Sequence, residues 1–192
     1  MKIKKFFSFV CCLFLAVSCF TPRTFATPPG NNEKFFLTSK VGGGLQIGIP
    51  NACKSANARG VWGDDGRWFT AHGPDRNGHY ILRIGQHDDP FGFELIPFRP
   101  TLDFFPHFGF EENPDCLVLD ESTSSTAILA WPCHRGKNQW WVFENAEGGF
   151  HRIRNVATGH YLTWNRGDNR IWGFHWVGPG HADYNGQLWW KN

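Results

Sequence analysis

Residues 116–141 read CLVLDESTSSTAILAWPCHRGKNQWW. An apolar run is followed by a Ser/Thr-rich turn. A second apolar run then ends at Trp131-Pro132-Cys133, and Gln139-Trp140-Trp141 closes the stretch. Short apolar runs bounded by turn residues read as β-strands. Two cysteines and a Gln-x-Trp so close together mark the stretch as a structural unit, and the unit recurs.

The last copy is FHRIRNVATGHYLTW (150–164), leading to NGQLWW (185–190), where Gln187-Leu188-Trp189 repeats the Gln-x-Trp. Val118 to Trp131 is thirteen positions, and so is Thr163 to Trp176. A fainter copy opens with FFLTSKVGGGLQI (35–47) and leads to VWGDDGRWF (61–69), with Gly66-Arg67-Trp68 in the Gln-x-Trp place. HYILRI (79–84) resembles the start of the last copy. The repeats run over about 35–78, 79–148 and 149–192, with an insert over 85–113 in the middle one. Units this short cannot bury an apolar face alone, so they must share one core. Three-fold closure of short hairpins predicts an all-β fold, a β-trefoil, with the Trp of each Gln-x-Trp pointing inward. The Gln amides are expected to satisfy backbone groups near the turns.

Residues 1–26 read differently. Lys2, Lys4 and Lys5 precede an almost wholly apolar run, and Thr24-Phe25-Ala26 offers a cleavage site. This pattern predicts a signal peptide and a secreted, periplasmic or extracellular protein. Lipoprotein processing at Cys19 ranks second, because Ala16 stands where a bulkier aliphatic residue is usual. Residues 27–34 read as a polar linker. Beyond residue 26 the chain holds 15 Lys and Arg against 17 Asp and Glu, a net charge of −2. No basic stripe remains to neutralise phosphates, so nucleic acid is not an expected partner.

Export permits disulfides. The cysteines beyond the apolar run are Cys53, Cys116 and Cys133. Cys116–Cys133 is the natural pair, since it closes a short loop within one repeat, a constraint worth roughly 3 kcal/mol in the chain-entropy model. Cys53 is expected to be buried, with a bridge to a partner chain as the alternative.

The sequence resembles the ricin B-type lectin family. The likeness rests on Cys116-Leu117, Trp131-Pro132-Cys133, Asn138-Gln139-Trp140-Trp141, residues 153–159 (IRNVATG) and Gln187-Leu188-Trp189. In size, export signal and expected trefoil the chain also looks, more loosely, like the binding subunits of cytolethal distending toxins. The lectin resemblance implies a β-trefoil that binds a glycan or glycoconjugate without catalysis. It also implies a ligand set: an Asp two residues after the first Cys, an aromatic before Pro-Cys, and an Asn beside the Gln. In the middle repeat it assigns stacking to Trp131, the amide role to Asn138 and support to Gln139. Val118 stands in the Asp place and Leu129 where a Gln often contributes. Asp120, one strand step further on the same face, would substitute only where the loop re-aims it. In the last repeat Thr163, Trp176, Asn185 and Gln187 take the corresponding places, with His175, His181 and Asp183 nearby. In the first repeat Gln46 and Trp62 do so.

The insert PFGFELIPFRPTLDFFPHFGF (90–110) is rich in Phe and Pro. Proline interrupts strand ladders, so this segment reads as an excursion from the trefoil. Phe104, Phe105 and Phe108 would form an apolar surface for a protein partner if exposed. The alternative function is therefore a degenerate lectin frame serving as a protein-interaction subunit of an exported toxin-like complex. The nine His are scattered, with no zinc-site spacing or nucleophile elbow, so no catalytic residue, metal or cofactor is assigned.

Overall fold

The computed structural model describes residues 26–41, 44–49, 56–61, 66–85 and 117–192. Residues 1–25 of the expected signal segment, Cys53, Trp62, Cys116 and residues 86–113 of the insert, with Phe104, Phe105 and Phe108, lie outside the described residues. Thirteen strands are described: β1 (Lys34–Ser39), β2 (Gln46–Gly48), β3 (Ala56–Asn57), β4 (Arg59–Val61), β5 (Trp68–His72), β6 (Ile81–Ile84), β7 (Leu117–Glu121), β8 (Ile128–Pro132), β9 (Trp141–Asn145), β10 (His151–Asn155), β11 (Tyr161–Asn165), β12 (Arg170–Phe174) and β13 (Trp189–Lys191).

Pairing closes six of these strands into a barrel. β1 pairs with β5 and β13, β5 with β6, β9 with β10, and β10 with β13. The Tyr80–Trp141 bridge joins the β6 side to β9. Three hairpins, β2–β4, β7–β8 and β11–β12, cap one end. The short β3 adds to β8. This is the β-trefoil the repeats predict, with lobes β1–β5, β6–β9 and β10–β13. Alternation produces it directly: β1 and β10 bury every second residue, and those residues meet in one core. Leu37, Ile47, Phe69, Leu82, Leu119, Trp141, Ile153, Leu162 and Trp189 are all fully buried there.

Strand register decides which residues are equivalent among lobes. Phe69 faces Ile84, Trp141 faces Asn155, and Trp189 faces Ser39. Phe69, Trp141 and Trp189 therefore hold the same inward place. The Trp141 indole N–H donates to the Leu119 carbonyl at 2.9 Å, and that of Trp189 to the Leu162 carbonyl at 2.8 Å. Each buried ring contributes roughly 3 kcal/mol through removal from water. The expectation that Trp68 anchors the first lobe is corrected. Alternation along β5 turns Phe69 inward and leaves Trp68 half-buried, with the Lys34 ammonium 4.9 Å from its ring centroid.

Candidate functional site

The middle lobe gathers its polar side chains at the mouth of the β7–β8 hairpin. Val118 pairs with Trp131 and Asp120 with Leu129, so all four share one face. Val118 is fully buried, Leu129 is half-buried, and Trp131 is 41% exposed at the strand end. The Asp120 side chain, only 5% exposed, is the pivot. The Asn138 amide N–H group donates to Asp120 Oδ1 at 2.9 Å and Oδ2 at 3.0 Å, and more weakly to the Glu121 carbonyl at 3.4 Å. His134 Nε2 lies 3.2 Å from Asp120 Oδ2. The Gly136 backbone N–H donates to His134 Nδ1 at 3.0 Å, so the neutral ring carries its proton on Nε2 and donates it to Asp120. A Cβ at Gly136 would lie 2.5 Å from the Asn138 side chain and 2.6 Å from the His134 ring, so a larger residue there would displace both.

Gln139 frames this mouth from behind and does not face it. It is fully buried. Its Oε1 accepts the His134 and Arg135 N–H groups at 2.9 and 3.0 Å, and its amide donates to the Pro132 carbonyl at 2.9 Å. Gln139 thus takes the supporting part expected of it, satisfying backbone groups around the turn. Arg135 sits at a positive φ of 58°, the bend these bonds hold in place. Cys133 carries a free thiol, and burial pushes its pKa up. No disulfide forms among the described residues, and its expected partner Cys116 lies outside them.

The last lobe repeats the frame with different contents. Gln187 accepts the Val177 N–H at 3.3 Å and donates to the His175 carbonyl at 2.8 Å. These bonds match His134 with Val177 and Pro132 with His175. By the hairpin registers, Leu119–Ala130 and Leu162–Gly173 also correspond. Asp120 is therefore the counterpart of Thr163, Trp131 of Phe174, Cys133 of Trp176, and Asn138 of Gly186. The equal spacings of Val118–Trp131 and Thr163–Trp176 align the wrong pairs. Thr163 is buried, donates to the Tyr161 carbonyl at 2.8 Å and accepts from Gln187 at 3.3 Å. Phe174 is half-buried beneath the His175 ring, with centroids 4.1 Å apart. Gly186 packs so closely that a Cβ would lie 2.5 Å from the Trp164 carbonyl oxygen. Trp176 is 55% exposed on the following loop, and Asn185 is exposed in the place of Lys137. His181 and Asp183 bond to one another on that loop, the Asp183 N–H donating to His181 Nδ1 at 3.2 Å. The structure joins Gln187 to Thr163 within the buried frame and leaves Trp176 and Asn185 exposed outside it.

The first lobe is barer still. Ile47 faces Gly60, so Gly48 takes the Asp120 place and Val61 that of Trp131. Gly66 stands for Asn138 and Arg67 for Gln139. Gln46 aligns with Val118, not with Asp120. His134 is the site residue the sequence reading did not single out; its only signal was a titratable side chain directly after Pro-Cys.

The family model described as ricin-type beta-trefoil lectin domain-like matches residues 113–172, the stretch that carries this site. Among curated proteins, no sequence matches the chain. Among solved structures, a designed 3-fold symmetric protein, ThreeFoil, superposes with a TM-score of 0.55 at 15% identity, covering 82% of this chain and 96% of its own. A β-trefoil named BEL gives 0.54 at 16% identity, covering 86% and 96%. The Polyporus squamosus lectin, solved with a human-type influenza-binding epitope, gives 0.57 at 13% identity, covering 85% of this chain and 50% of the lectin chain. At such identities the structures establish a shared fold. The matched segment resembles the ricin-type lectins in sequence as well.

Proposed function

We propose that this β-trefoil is an exported carbohydrate-binding module with one competent site, in its middle lobe, and no catalytic activity. The observation that carries the proposal is the Asp120–Asn138–His134 cluster beside the exposed ring of Trp131. A pyranose offers an apolar face and a rim of hydroxyls. The Trp131 ring suits the first, and a fixed carboxylate–amide–imidazole set suits the second. Asp120 orients Asn138 and His134 beforehand, which lowers the ordering cost on binding. The acceptor character of Asp120 favours neutral saccharides, since an anionic sugar would meet a carboxylate with like charge.

Lobes one and three place Gly48 or Thr163, Val61 or Phe174, and Gly66 or Gly186 at these positions, so binding is univalent. The expected result is retention of the mature protein on a glycan array of neutral saccharides, and one ligand per chain by titration calorimetry. A blank array, or retention unchanged in Trp131→Ala, would sink the proposal. A second reading, docking to a protein partner through the Phe-rich insert, is motivated by that segment's composition. It predicts a native heteromer that dissociates on replacing Phe104 and Phe105 by Ser. Release of reducing sugar from a polysaccharide panel would instead favour a glycosidase.

A further inference from the structure

Glu121 is a carboxylate with no exposed surface, and it lies in the trefoil core layer rather than at the site mouth. Its counterparts by register are Ile49 in the first lobe and Trp164 in the last, both buried apolar residues. Stripping a carboxylate of water costs several kcal/mol unless it is well partnered. An apolar residue here is thus compatible with the fold, and the acid calls for another explanation.

The partners of Glu121 come from a single turn, residues 155–160, which joins β10 to β11. His160 Nδ1 lies 2.7 Å from Oε1, and the Thr158 hydroxyl donates to Oε2 at 2.7 Å. Gly173 on the neighbouring strand makes room, since any Cβ there would collide with the carboxylate. The same turn holds the ligand-facing amide residue. The buried Asn155 side chain donates to the Asn138 carbonyl at 2.8 Å, and its Oδ1 accepts the Ala157 and Thr158 N–H groups at 2.9 and 3.4 Å. Asn138 in turn donates to Asp120 and to the Glu121 carbonyl. The chain of bonds closes: Glu121 to Thr158, Thr158 to Asn155, Asn155 to Asn138, and Asn138 back to the Asp120-Glu121 pair. Asn155 has Ser39 and Ile84 as its counterparts, and among the described residues neither repeats the Asn155–Asn138 bond.

We propose that Glu121 is a positioning residue for the middle-lobe site, fixing Asn138 against Asp120 by locking the 155–160 turn through Thr158 and His160. The proposal rests on the carbohydrate-binding reading for its functional consequence, though not for its structural content. The test compares Glu121→Ile, the first-lobe residue, with Glu121→Gln, which keeps an acceptor oxygen, and with the milder Thr158→Val. Affinity for an array-positive saccharide, melting temperature and the Asn138 side-chain amide signal in nitrogen-correlated NMR are measured for each.

The expected result is an affinity loss of about tenfold in Glu121→Ile with no fall in melting temperature, and recovery of most of it in Glu121→Gln. The Asn138 amide signal shifts in Glu121→Ile and Thr158→Val even without ligand. Wild-type affinity in Glu121→Ile, or an Asn138 signal that stays in place in both, overturns the proposal. So does a parallel loss of affinity and stability that Glu121→Gln does not relieve. If Glu121→Ile does not fold, Thr158→Val decides. If the wild type binds no saccharide, the functional reading fails, and the Asn138 signal alone decides whether Glu121 positions it.

Discussion

The middle and last lobes share a frame and differ in what it holds. In both, a buried Gln staples the loop after the hairpin, and a buried Trp donates to a core Leu carbonyl. In the middle lobe the space in front of that frame contains Asp120, His134, Asn138 and an exposed Trp131. In the last lobe it contains Thr163, Val177, Gly186 and a Phe174 covered by His175. The frame is a requirement of folding, so all lobes need some version of it. The contents are free to change wherever no ligand depends on them. Gln-x-Trp thus reports the trefoil, and only the residues ahead of it report a site.

The largest expected effect on binding lies on the exposed ring. Trp131→Ala should reduce saccharide affinity by about 2 kcal/mol or more, beyond detection for a weak lectin, while leaving the melting temperature nearly unchanged. Trp176→Ala, on the more exposed ring of the last lobe, should leave affinity untouched. Equal losses from the two substitutions, read by affinity electrophoresis, would break the distinction between the lobes.

The middle-lobe site exists only while the barrel is folded, and His72 sets an acid limit on that. Burial, aided by the positive charge of Arg83, pushes its pKa down to about 4 from 6.5. The native state therefore favours the neutral ring, and the unfolded chain binds the extra proton. The corresponding stability is complete above pH 6.5 and is lost progressively down to about pH 4. It amounts to roughly 3 kcal/mol at most. His72→Gln should flatten this part of the stability–pH curve in urea titrations. A persisting slope of the same size would assign it to other groups.

The two staples offer a sharper comparison. Gln139→Ala and Gln187→Ala each strand partly buried backbone groups and should cost about 2 kcal/mol of stability. Only Gln139→Ala should also weaken saccharide binding, because Gln139 accepts the backbone N–H of His134. Matched stability losses with unmatched affinities would support the division between frame and contents. Matched affinities would merge the two.

Much of this frame was legible in the chain. Gln139-Trp140-Trp141 and Gln187-Leu188-Trp189 announce the trefoil, since burial of one large ring per lobe leaves a repeated mark. The site was less legible because its residues are placed by strand register, whereas sequence spacing also counts the loops between strands. Thirteen positions separate both Val118–Trp131 and Thr163–Trp176, yet the structure pairs Asp120 with Thr163 and Trp131 with Phe174. In the first lobe Trp68 was the more conspicuous residue, but a one-residue difference on a strand reverses the face, and Phe69 points inward. Glu121 left a fainter sign: the second acid after the apolar run LVL (117–119), whose partners Thr158 and His160 lie far along the chain and come near it only through the pairing of lobes.

The smallest effect tests the amide place directly. Asn138→Gly gives the middle lobe the residue found there in both sister lobes. It removes the donor to Asp120 and should cost about tenfold in affinity with roughly 1 kcal/mol of stability. Gly186→Asn is the reverse exchange, and it should not create a site. Its Cβ would lie 2.5 Å from the Trp164 carbonyl oxygen and 3.6 Å from Thr163 Cγ2, with no carboxylate to orient the new amide. Overpacking of this kind costs about 1–3 kcal/mol, so the variant should melt earlier and still bind one ligand. Two ligands per chain in calorimetry of Gly186→Asn would show that the last lobe keeps a latent site. One ligand with a lowered melting point would show that its backbone has closed over the place that Asn138 holds open in the middle lobe.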